Sequence, residues 1–110
     1  LRACFPLAGK PIPPYGEFPA TAQGLHQRMA HVVALLKTIH ATEFEGREAT
    51  VLESQAGKAL VALQAPEFLL QYALPNFFFH VTAAYAILRG LGVAVGKEHF
   101  DGFHAYEPEA

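Results

Sequence analysis

The chain has no tryptophan, a single cysteine (Cys4), a single serine (Ser54) and a single aspartate (Asp101), and each scarcity removes a class of function. One cysteine cannot close an internal disulfide. The first residues, Leu1-Arg2-Ala3-Cys4, are neither a basic leader nor a long apolar run before a cleavage site, so a reducing, cytoplasmic location is expected. With one serine and one aspartate far apart in the chain, a Ser-His-Asp triad has little material. Gly57-Lys58 lacks both the upstream glycine and the following Ser or Thr of a phosphate loop, and neither a Cys-x-x-Cys pair nor a dinucleotide fingerprint occurs. Net charge is -2 and the eight basic residues are scattered, which excludes the basic stripe that binding to nucleic acid requires. Apolar runs are broken by Pro, Gln or His well short of the roughly 18 to 20 residues of a membrane span, so no membrane partner is expected.

What is present is apolar: 52% hydrophobic residues against 16% charged, enough for a packed core in one domain over residues 1–110. Leu1 to Cys4 read as the end of a helix. Five of the eight prolines fall between Pro6 and Pro19, and their missing amide donors and fixed φ make residues up to 20 an extended connector. Thr21 then stands as an N-cap, and Leu25, Met29, Val32, Leu36 and Ile39 recur at steps of four and three, so a helix over 21–40 is expected with His26, Gln27, Arg28, His31 and Lys37 toward water. The apolar runs on either side of Ser54-Gln55-Ala56-Gly57-Lys58 predict a β-hairpin within 49–64. Pro66 and Glu67 suit the first turn of a long helix over 66–91, with a kink at Pro75 and a stop at Gly90 and Gly92. The remainder, 93–110, reads as a mixed tail, mobile over Glu107 to Ala110.

The string Tyr72-Ala73-Leu74-Pro75-Asn76-Phe77-Phe78-Phe79-His80-Val81-Thr82-Ala83-Ala84-Tyr85, continued by Ile87-Leu88-Arg89, Gly92-Val93, Gly96-Lys97 and Phe100, resembles the closing motif of DUF1993 proteins. The match is dense over about residues 67 to 102 and looser back to residue 1. The resemblance implies a mainly α fold, a DinB/YfiT-like antiparallel four-helix bundle, often dimeric, with a three-histidine metal site in some members of the wider superfamily. It implies a fold and not an activity, because DUF1993 is a family of unknown function. Members begin earlier, so the helix from Thr21 would be helix three, the one from Glu67 helix four, and this chain a partial bundle with a small hairpin.

Asn76 and His80 are the candidate site. Spaced i, i+4, they share a helix face with Ala73, Ala83, Ala84 and Ile87, so two polar groups are expected to look into an apolar interior, where each needs a partner. In metal-binding relatives the matching helix carries His-x-x-x-His; here Asn76 stands at the first position and His80 at the second. Asn is a poor ligand for zinc or nickel, so no cofactor is expected, and a divalent metal at His80 is the alternative. The structural reading is an Asn76–His80 hydrogen bond near the kink. His26, His31, His40, His99 and His104 read as surface or helix-end residues, and Phe77-Phe78-Phe79 as core and subunit contacts. Two functions are open: a structural or interaction domain that forms a homodimer, or a metal-dependent enzyme or small-molecule-binding protein with a pocket around His80, its ligand unknown.

Overall fold

Gly9 ends the first helix, α1 (Cys4–Leu7), at a φ of 72° that a side chain would strain. The Lys10 N–H reaches back to the Phe5 carbonyl and the Gly9 N–H to the Pro6 carbonyl, the paired bonds of a glycine C-cap. The computed structural model describes residues 1–104, so the expectation of mobility at Glu107 to Ala110 lies outside the described residues. About half of the chain is helical, with one two-stranded antiparallel sheet, and it divides into two compact units, Leu1–Ala73 and Leu74–Ala110.

In the first unit the proline-rich connector leads to α2 (Ala22–Leu36), whose cap is Thr21: its hydroxyl accepts the Gly24 N–H at 3.0 Å. Gly24 is buried because the connector passes over it; a Cβ there would sit 1.9 Å from the Pro19 carbonyl oxygen. The connector lies on the polar side of α2, not on its apolar stripe. Phe18 packs against His31 with ring centroids 5.7 Å apart, and the Arg28 guanidinium lies over the Tyr15 ring. Leu25 and Met29, at the start of the expected apolar stripe, are 61% and 56% exposed.

Helix α2 also stops four residues before the expected end at His40. The Thr38 hydroxyl donates to the Leu35 carbonyl at 2.7 Å, and the N–H groups of Thr38 and Ile39 bond three residues back, tightening the chain out of the α geometry. His40 therefore opens a 3-10 turn, Ala41–Phe44, instead of closing α2; its N–H donates to the Glu43 carboxylate, which also pairs with Lys10 at 2.6 Å.

Strands β1 (Val51–Ala56) and β2 (Ala59–Gln64) form the hairpin, with Leu52 opposite Leu63 and Ser54 opposite Val61. The loop is two residues, Gly57-Lys58, where five were expected. Positive φ at Gly57 alone fits a turn with glycine first, whose twist matches that of the strands and lets pairing run to Ala56 and Ala59. Leu52 joins Ala65 and Phe68 in a small core, with Ala3, Leu7, Val61, Leu63, Tyr72 and Ala73 packed around it. Ala65 and Phe68 come from the segment after β2: a first turn, α3 (Ala65–Glu67), with Pro66 inside it, then a π-helical stretch, Phe68–Ala73. This stretch ends just before Pro75, the position of the expected kink. A turn in which carbonyls pair five residues on tolerates Pro75, which offers no N–H to the carbonyl four residues before it.

The second unit opens with α4 (Leu74–Gly90), closed by Gly92 at a φ of 83°. A short helix, α5 (Lys97–Asp101), begins where the Gly96 N–H donates to His99 Nδ1 at 2.9 Å. Arg89 Nη1 donates to both the Tyr85 hydroxyl and the Val95 carbonyl, and Tyr85 packs edge-on against Phe100, which holds α5 to α4.

Candidate functional site

Helix α4 is apolar on most of its surface, and the second unit covers little of it. Phe77, Phe78, Phe79, Ile87, Leu88 and, just past the end, Leu91 are all exposed, Phe79 by 67% and Leu91 by 77%. Within α4, Val81, Ala83 and Tyr85 are half-buried and the other residues are exposed. So many exposed large apolar side chains are unusual on a small domain. Their surface is not flat: Phe78, Phe79, Thr82, Ala83 and Ala86 line a shallow depression of about 400 Å³.

Asn76 and His80 lie in the stripe that holds Ala83 and Ile87, the positions set by steps of three and four residues. Both are exposed. The contact His80 makes is with its neighbour Phe79, ring edge to face with centroids 5.3 Å apart; no Asn76–His80 hydrogen bond forms. In the isolated chain these are two polar groups set into an open apolar face. Covered by another surface, both would need hydrogen-bond partners from it.

The donors fit a divalent metal poorly. One imidazole and one carboxamide fall short of the three or four imidazole, thiolate or carboxylate ligands of zinc, and among the described residues no three His, Cys, Asp or Glu side chains come together. The remaining histidines are spread out. His26 is exposed on α2, His31 faces Phe18, His40 opens the 3-10 turn, His99 accepts the Gly96 N–H, and His104 bonds Asp101. Asp101 is the most perturbed carboxyl. The N–H groups of His104 and Phe103 donate to it at 3.0 and 2.8 Å and, with the His104 ring, lower its pKa from 3.8 to about 2. Glu43 is likewise lowered, first by Lys10 and then by the His40 N–H.

Residues 1–101 match the family described as a domain of unknown function, DUF1993. The chain belongs to this family. No curated protein matches it. Among solved structures, the DUF1993 chain is similar to a DinB family member protein from Shewanella denitrificans, at 33% identity and a TM-score of 0.75. The likeness covers 94% of this chain and 58% of that one, so the chain spans 58% of that protein's length. The DinB-like helical character implied by the Tyr72 to Tyr85 string is thus shown by a solved relative. Among the described residues, no helix is long and apolar enough to cross a membrane.

Sequence reasoning singled out Asn76, His80 and the three phenylalanines but not the exposure of the face that carries them. The available signal was the composition of α4, apolar all round apart from Asn76, His80, Thr82 and Arg89, a pattern that predicts contact on more than one side.

Proposed function

We propose that this DUF1993 chain is a structural or interaction domain, a DinB-like antiparallel helical bundle to which α2 and α4 contribute helices three and four, and that it self-associates as a homodimer through α4. The exposed apolar face of α4 carries this reading. Phe77, Phe78, Phe79, Ile87, Leu88 and Leu91 are each between 44% and 77% exposed. Helix spacing puts Phe77, Ile87, Leu88 and Leu91 on one side; with 150–250 Å² per aromatic side chain and somewhat less for the aliphatic ones, they offer roughly 400 Å², about half of the ~800 Å² per partner of a stable interface, and flanking residues would supply the rest. A two-fold pairing uses the same patch twice, so it needs no second complementary surface. The partly buried free thiol of Cys4 fits a cytoplasmic location.

Light scattering on the full chain at micromolar concentration tests the reading: a dimer is expected, and Phe79→Glu together with Ile87→Glu should shift it to monomer. A monomer over the whole concentration range overturns it.

The second reading is a DinB-like metal-dependent enzyme or small-molecule-binding protein with a pocket around His80. It rests on Asn76 and His80 being accessible together on one face of α4. Their two donors are too few for a metal, so a zinc or nickel site there would take further ligands from a second copy or from chain beyond these residues.

A further inference from the structure

The outer edge of β1 borders a cleft of about 330 Å³, lined by Arg2, Ile12, Pro13, Tyr15, Glu53, Ser54 and Gln55. The register decides what that edge offers. A two-residue turn makes Ala56 and Ala59 a hydrogen-bonded pair, and alternation then gives Ser54 with Val61 and Leu52 with Leu63; the Ala65 N–H to the Thr50 carbonyl, 2.9 Å, continues the series. Glu53 and Gln55 are therefore the residues whose backbone N–H and C=O point away from β2. Among the described residues no hydrogen bond reaches these four groups. The same cleft holds two charged side chains of opposite sign, Arg2 and Glu53, neither of them in an ion pair among the described residues. Ile12, Pro13 and Tyr15 supply an apolar wall. Ser54, by contrast, faces inward, its hydroxyl 3.4 Å from that of Tyr72.

Unpaired strand-edge donors and acceptors recognise an extended main chain, and a guanidinium and a carboxylate in one small cleft recognise the two ends of a zwitterion. We infer that the cleft binds a short peptide with free termini, a di- or tripeptide laid as an added strand along Glu53 and Gln55. Arg2 takes its carboxylate, Glu53 its ammonium group, and the apolar wall one of its side chains. A volume of about 330 Å³ is at the small end of ligand pockets and limits the ligand to this length. None of these residues belongs to the apolar face of α4, so the site stands or falls separately from self-association.

The test is a titration of the ¹⁵N-labelled full chain with Ala-Ala and with its N-acetylated and C-amidated forms. Ala-Ala should shift the amides of Glu53 and Gln55. Arg2→Ala should weaken Ala-Ala about tenfold while leaving the amidated form unchanged, and Glu53→Gln should do the same for the free-amine against the acetylated form. Arg2 and Glu53 are exposed, and an otherwise unaltered spectrum verifies that the variants fold. Absence of those shifts up to about 10 mM peptide overturns the inference, as does equal weakening of the capped forms. Shifts at Glu53 and Gln55 that depend on protein concentration alone would assign the edge to pairing between copies and overturn it too.

Discussion

The Phe68 ring stands edge-on to the Tyr72 ring, with centroids 5.2 Å apart and planes at 62°. Both residues lie in the π-helical segment after the hairpin, and Phe68, 1% exposed, is the largest side chain fully buried in the chain's described part. It fills the space between Leu52 and Ala65, so its loss leaves a cavity in a core too small to collapse around it. Phe68→Ala should cost about 3–5 kcal/mol of stability, whereas Phe68→Leu, which refills most of the volume, should cost under about 1.5 kcal/mol. Denaturant unfolding of the two variants checks this; equal small losses would show that the core lies elsewhere.

Local chemistry was legible in the sequence, and packing was not. Thr21 caps α2 because a hydroxyl three residues before an amide is a local relation, independent of everything else in the fold. Pro66 marks the start of α3 for the same reason. The end of α2 was missed because Thr38 bonds the Leu35 carbonyl, a competition that periodicity does not register. The hairpin was visible, but Ser54, Gln55 and Ala56 read as loop because they interrupt the apolar run, whereas all three pair with β2. The π-helical segment had no signal beyond Pro75 itself.

Asp101 yields a pH dependence with a definite sign. Its pKa is lowered from 3.8 to about 2, chiefly by the N–H groups of His104 and Phe103, so the folded state favours its ionised form. The stabilisation is present above the ordinary carboxylate pKa and is lost as pH falls through about 2. The Phe103 and His104 amide resonances should hold steady to about pH 3 and then move together. An NMR titration of the Asp101 carboxyl measures this directly; an inflection near 3.8 would show that the turn after α5 does not hold the carboxylate.

The candidate site was legible in identity but not in environment. Spacing alone places Asn76 and His80 on one face of α4, since that relation is a property of helix geometry. Whether that face is buried depends on which surface packs on it; the composition of residues 74 to 90, apolar nearly all round, signals contact on more than one side but not with what. The same holds for Leu25 and Met29, whose periodicity is that of an apolar stripe and whose side chains are exposed, while the connector's Tyr15 and Phe18 rings lie against Arg28 and His31.

His80 separates the two proposed functions in a single series of melts. The side chain is exposed and its one ring contact is with its own neighbour, Phe79, so His80→Leu removes no buried hydrogen bond and should change stability by no more than about 0.5 kcal/mol. If α4 pairs with a second copy, the leucine replaces a polar group that would have needed a partner in the interface, and the melting midpoint should hold or rise. Metal acts differently. An ion bound to the native state raises the midpoint by an amount that grows as RT ln(1 + [L]/Kd), an effect on the wild type that the leucine variant must lose. Because one imidazole and one carboxamide do not make a zinc or nickel site, wild type and His80→Leu should melt alike with and without either metal. A reproducible rise with metal, abolished by the substitution and retained in Asn76→His, would mean that further ligands reach His80 from another chain, and would replace the interaction reading with the metal-dependent one.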